Sequence, residues 1–429
     1  MSAPLNRQIP PAFQPLQIPR LARPVTETLS TGTEITGFFQ SSQSLVSLEL
    51  VFPAQSPSVL DRQLEGYTFK MLAEGTQNKS AKQIADAISV LGGQLEFSHS
   101  PDFNSIHITC LSRFLSGMLD LLGEIWAFPS FPEKEWKTLL ETQLHQNEVN
   151  LQKTSFQSGK ILREHIYGKS FDYGYSFRPE IAQAFTPGDF SNRFQKIKQT
   201  APALVLLAGN PENKDLEHLK NWLSSTFSAP NPVLRDPIPE LKKPEAVTVF
   251  SHVPNSQQAS LRMGQHCISS RHPDSALFSL CIELFGGYFG SRLMQNIRED
   301  KGWTYGIYAQ RIGNLRQPYW SIGTDLNGDS VSMCIGEIHK EALRLQEELV
   351  NSDELEKVKN YMMGQLMGSI THCFGLSDKY RSVWSQGTSF DRIEENHRII
   401  QNASPEDIRE IARKYLHTTE MVVSHAGPE

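Results

Sequence analysis

The 13 histidines and five cysteines of this 429-residue chain have the widest chemical range, because both types ligate metals and serve as bases or nucleophiles. Their spacing works against each of those uses. Cys110, Cys267, Cys281, Cys334 and Cys373 are scattered, and none stands in a C-x-x-C pair. They fit free, mostly buried thiols in a reducing compartment rather than a zinc knuckle or a disulfide framework. No His-x-x-Glu-His occurs anywhere. The nearest substitutes are Glu164–His165 and the pair His99 and His107, which would sit on adjacent strand ends. Lone strand histidines are usually structural, since a metal site needs convergent ligands. Gly286, Gly287 and Gly290 lack a following Lys-Ser/Thr, and the segment before them reads as helix. A tight helix-to-helix turn explains them better than a phosphate loop. No serine stands in a G-x-S-x-G context.

Composition narrows the class further. The length calls for two or more domains, and a 39% hydrophobic fraction supports large cores. A net charge of -6 argues against a nucleic-acid surface. No stretch approaches the ~18–20 apolar residues of a membrane span. The first 20 residues contain no apolar run and do not read as a signal peptide. The expected compartment is the cytoplasm, or the periplasm if a leader has been removed.

The chain is organised as two echoing halves. Residues 1–30 form a proline-rich, irregular arm, followed by a first domain over 31–228. A linker covers 229–247, densest in proline and charge over Ala229–Pro244, and a second domain fills 248–429. Val46, Leu48, Leu50 and Phe52 alternate as a half-buried strand, echoed by Ala259, Leu261 and Met263. A helix follows in each half, over Leu64–Ala73 and Asp274–Phe285. Ser80 caps the next helix and Gly92–Gly93 stops it. Strands then run through Leu95 and Phe97, and through Ile106, Ile108 and Cys110. Leu115, Met118, Leu119, Leu122, Ile125 and Trp126 stripe a long helix, as Ile335, Ile338, Ala342 and Leu345 do later. The clearest echo matches Phe131–Gln146 to Asn351–Leu366. The expected fold is α+β. It has two homologous domains, each an antiparallel-rich sheet with helices mainly on one face.

Three segments carry a family likeness. Gly66–Thr76 (GYTFKMLAEGT) resembles the zinc helix of the pitrilysin, insulinase and mitochondrial processing peptidase family, which ends as EHMLFKGT or a close variant. Leu91–Leu111 looks like that family's strand pair after the zinc helix. Leu284–Ala309 (LFGGYFGSRLMQNIREDKGWTYGIYA) matches its LGGG-x-x-SRL-x-x-x-(L/V)RE-x-x-G-x-x-Y pattern. The resemblance places the family's inverted zinc motif at Gly66-Tyr67-Thr68-Phe69-Lys70. There Gly66 has no side chain, Phe69 is no base, and Lys70 is itself a cation. The third zinc ligand, a Glu on a later helix, falls by count at His145–Glu148, which makes Glu148 its remnant. The resemblance therefore implies a dead zinc site, with no metal or other cofactor in this chain.

What survives lies in the second half. Family peptidases place an Arg and a Tyr in the domain facing the zinc, and the matching residues are Arg298 and Tyr305. A guanidinium offers fixed donors to a substrate carbonyl, and a tyrosyl hydroxyl can donate to an oxyanion. Arg292 of the SRL triplet reads as structural. The resemblance implies a non-catalytic subunit of a bacterial two-chain peptidase that closes like a clam around peptides. The partner would be a zinc-bearing homologous subunit in a heterodimer, with a homodimer as the other arrangement. The rival expectation is a catalytically inert structural or binding protein of the same fold.

Overall fold

The computed structural model describes residues 18–39, 43–55, 58–227 and 243–428. Most of the Ala229–Pro244 linker and the first 17 residues of the expected arm lie outside the described residues.

The first half opens with three strands, β1 (Val25–Thr28), β2 (Glu34–Phe39) and β3 (Leu45–Pro53). Helices α1 (Val59–Met71) and α2 (Ala81–Val90) lead into the hairpin β4 (Gln94–His99) and β5 (Phe103–Leu111). Next come α3 (Leu115–Ala127), α4 (Glu133–Leu151), α5 (Thr154–Tyr167), the single turn α6 (Pro179–Ala182) and α7 (Pro187–Ile197). Strand β6 (Leu204–Gly209) and helix α8 (Asn213–Thr226) close this half.

The second half runs β7 (Thr248–His252), β8 (Ala259–His266) and α9 (Ser275–Ile282). Two π-helical stretches, Glu283–Gly287 and Met294–Asp300, follow. Strands β9 (Thr304–Ile312) and β10 (Tyr319–Leu326) precede α10 (Val331–Glu347), α11 (Ser352–Ser369), α12 (Cys373–Ser385), α13 (Arg392–Asn402) and α14 (Pro405–Tyr415). Strand β11 (Val422–Gly427) ends the chain's regular structure.

The repeat is visible in sheet order. The first sheet reads β1-β2-β6-β3-β5-β4 and the second β7-β11-β8-β10-β9. Apart from β1, the strands correspond one to one. The single parallel pair also corresponds, β2 with β6 and β7 with β11. Local sequence explains the element ends. Ser80 Oγ accepts a hydrogen bond from the Gln83 backbone N–H while Gln83 Oε1 accepts one from the Ser80 backbone N–H, a capping box that starts α2. Gly92 ends that helix at φ 56°.

Each sheet buries the alternating stripe expected of it. Val46, Leu48, Leu50 and Phe52 turn one way, and Phe52 stacks on Trp126 of α3 with ring centroids 5.3 Å apart. Fully burying each such side chain is worth about 1.5–3 kcal/mol. Leu261, Met263, Trp320 and Ile322 do the same beneath α9 and α10.

The opposite sheet faces are covered by exchange. Helix α5 of the first half lays Leu162 and Ile166 against Val422 of the second sheet. Helix α12 of the second half lays Cys373 and Leu376 against Phe38 and Ala208 of the first. Glu49, on the polar-looking face of β3, accepts a 3.0 Å hydrogen bond from Arg381 Nε of α12. Arg316, between β9 and β10, bridges to Asp102 and Asp172 of the first half. The face that alternation assigns to solvent is thus buried by the other half's helix. All six residues of β6 are buried for that reason.

Candidate functional site

Helix α1 starts at Ser58, whose hydroxyl accepts from the Asp61 amide at 3.2 Å. Gly66 and Lys70, one turn apart, both face a cavity of about 620 Å³. Phe69 does not. It sits about 100° round the helix from Lys70, fully buried, with its ring 6.4 Å from that of Phe52. Sequence matching groups the three positions, but the structure brings only Gly66 and Lys70 together.

The space beside Gly66 is taken by a histidine. A Cβ placed on Gly66 would lie 2.9 Å from Cδ2 of His99. His99 Nδ1 lies 2.6 Å from Asn104 Oδ1, and Asn104 Nδ2 donates to Glu65 Oε1 at 2.6 Å. Glu65 pairs with Arg193. These contacts orient the Asn104 amide, so His99 Nδ1 carries the proton and Nε2 is a bare acceptor. Nε2 is buried and without a partner. Burial holds the imidazole below its ordinary pKa, so it is neutral near pH 7. Burial pushes the Glu65 carboxyl up, but Arg193 and three hydrogen bonds outweigh it and hold it below the usual range. Glu65 is therefore committed to Arg193 and faces away from the cavity.

The other proposed ligands do not converge. Glu148 is exposed near the end of α4, and Gln143 of that helix lines the cavity instead. His107 Nε2 meets Ser47 Oγ at 2.8 Å, and exposed His165 bonds its own helix at Ile161 O, 2.9 Å away. Among the described residues no three His, Cys, Asp or Glu side chains are grouped to hold a metal. A glycine, a cation and a core phenylalanine supply no donor to zinc, so the residues present do not fit that ion.

Arg298 and Tyr305 lie apart from this cavity. Arg298 ends the π-helical stretch Met294–Asp300, and Tyr305 opens β9, the edge strand of the second sheet. Gly302, at φ 66°, makes the turn between them in a conformation few other residues adopt. The Arg298 guanidinium lies 4.0 Å above the ring of Phe289, which is 68% exposed. Among the described residues its ion-pair neighbour is Glu299 at 3.5 Å, and Nη1 is buried without a partner. Tyr305 is 93% exposed. Arg292, in contrast, makes a two-pronged pair with Glu354 at 2.9 and 3.0 Å. Gly286 is needed for packing. A Cβ there would meet the backbone N and Cβ of Ala309 on β9, both at 2.8 Å.

Comparison with known proteins shows the family. Residues 67–172 match the family model for insulinase (peptidase family M16), and residues 184–362 match the model for the peptidase M16 inactive domain. The chain belongs to peptidase family M16. An M16 inactive-domain structure from Pseudomonas fluorescens superposes with a TM-score of 0.83 at 21% identity, covering 95% of this chain and 99% of the other. An uncharacterized zinc protease, YmxG of Bacillus subtilis, is 25% identical over 307 residues, 70% of this chain and 72% of its own. A Helicobacter pylori relative described as a non-peptidase homolog, also YmxG, is 22% identical over 305 residues, 69% of this chain and 68% of its own. This M16 chain is peptidase-like, and the model that its residues 184–362 match is described as an inactive domain.

The sequence missed how this M16 cavity is walled. Arg163 reaches it from α5, and Ile312, Asn314 and Tyr319 reach it from the second half. No local pattern marks such residues, because they meet only through the exchange of α5. Among the described residues no helix is long and apolar enough to cross a membrane.

Proposed function

We propose that this chain is the non-catalytic, substrate-binding subunit of a two-chain zinc peptidase that cleaves peptides. The observation that carries the reading is Tyr305, almost wholly exposed on the edge strand that follows the turn after Arg298, in a chain whose α1 has glycine, phenylalanine and lysine at the positions of the zinc motif. A tyrosine with no packing role is poorly explained by stability. An Arg298 guanidinium resting on an exposed ring is desolvated on one face and free to donate from its edge. A zinc-bearing homologous partner supplies the metal, the water and the base. This chain supplies the Arg298–Tyr305 pair and part of the enclosing wall, and enclosure selects peptides or unfolded segments.

A second reading is an inert binding or structural protein of the same fold. The non-peptidase description of the Helicobacter pylori relative favours it. The test is reconstitution of peptidase activity with an M16 chain that carries His-x-x-Glu-His. Activity that needs both chains and falls with Tyr305→Phe supports the first reading. A partner fully active alone supports the second.

A further inference from the structure

The cavity beside α1 is roomy and its lining does not group ligands for a metal among the described residues. At about 620 Å³ it lies within the ~300–1,000 Å³ range of small-ligand sites. Its ring-bearing walls include Tyr67, Phe97, Tyr175, Phe177 and Tyr319. Burial lifts the Tyr67 and Tyr175 hydroxyls above their ordinary range, so those walls carry no phenolate.

Charge on the lining is one-sided. The cations are Arg62, Lys70 and Arg163, and the acid is Asp172. Asp172 is consumed by Arg62 at 2.6 Å and by Arg316. Lys70 and Arg163 have no carboxylate partner among the described residues, and the Lys70 ammonium rests 5.6 Å over the Tyr67 ring. The His99 ring forms the wall against Gly66, with its Nε2 buried and without a partner among the described residues.

We infer that this cavity binds the free C-terminal end of a peptide with an aromatic last residue. Lys70 and Arg163 take the carboxylate, and the ring walls take the aromatic side chain. Each half of the match follows from the lining. Two unpaired cations call for an anion, and a wall of rings calls for an apolar, ring-bearing body beside it. Inorganic phosphate meets the first demand and not the second. Lys70 is exposed at the rim, so a chain end can enter from solvent there while the rest of the peptide stays outside. The inference makes no use of Arg298 or Tyr305.

The test is calorimetric titration of the isolated chain with acetyl-Ala-Ala-Phe as the free acid. C-terminally amidated peptide and inorganic phosphate form the comparison arms. The expected result is saturable one-to-one binding of the acid and about tenfold or greater weakening on amidation, the scale of one charge-assisted hydrogen bond. Lys70→Gln and Arg163→Gln should each weaken the acid by a similar factor. Lys82→Gln, an exposed charge on α2, should not. Equal affinity for acid and amide overturns the inference, as does no saturable binding of the acid up to its solubility limit. Phosphate competing as well as the peptide would leave a bare anion patch and overturn it too. Every arm reads the isolated chain, so failure of partner-dependent peptidase activity is separable from failure here.

Discussion

His99 occupies the space that a side chain at Gly66 would need, with 2.9 Å between its Cδ2 and a Cβ built on the glycine. The helix–strand contact at Gly66 is therefore packed around the His99 ring, which any side chain at that position would have to displace. Because Nδ1 of His99 is tied through Asn104 to the Glu65–Arg193 pair, the ring cannot swing aside freely.

The first consequence concerns metal. The isolated chain should hold no stoichiometric zinc after mild dialysis, as measured by elemental analysis. Gly66→His with Lys70→His should not restore it, because the new residue 66 meets the His99 ring and Phe69 faces the core. Overpacking at residue 66 should cost about 1–3 kcal/mol. One tight zinc per chain in either protein would contradict the argument.

Acid stability should depend on Glu65. Its folded pKa is depressed below the ordinary 4.5. A depressed carboxyl contributes stability that is fully present above the unfolded value. It is lost as pH falls from there through the folded value. Glu65→Gln should remove that acid limb from a plot of unfolding free energy against pH. It should also cost about 3–5 kcal/mol near neutrality, since Arg193 is left buried without its partner. An unchanged pH profile in the variant would show that the pair contributes no linkage.

Unfolding should be a single transition. Each sheet relies on a helix from the other half, so neither half has a complete core alone. Leu162→Ala on α5 should cost about 2–5 kcal/mol and lower one common melting temperature, read by calorimetry. Two resolved transitions would show the halves to be independent.

The Arg298–Tyr305 pair should separate chemistry from stability. Tyr305→Phe removes one hydroxyl from an exposed side chain, so the melting temperature should not move. In the reconstituted two-chain peptidase, kcat should fall by about 10²–10³, the effect of losing one preorganised donor. Arg298→Ala should also raise KM, because a ground-state carbonyl contact goes with it. Unchanged kinetics in both variants would reduce the pair to surface residues.

Local sequence determined the elements, the repeat and the loss of the zinc motif. Strand alternation in Val46–Phe52, the Ser80 cap and the SRL-to-Tyr305 segment are short-range patterns, set by neighbours in the chain. The missing ligands at Gly66, Phe69 and Lys70 needed no structure to be seen. Tertiary structure alone decided which way those residues face and what replaced the ligands. Phe69 joins the core because Phe52 stands opposite it. His99 fills the space at Gly66 because β4 ends beside α1. Arg163 and Tyr319 reach the cavity because α5 crosses to the other half's sheet. Such contacts join residues far apart in the chain, and burial of both faces of a sheet rewards them only once the two halves have docked.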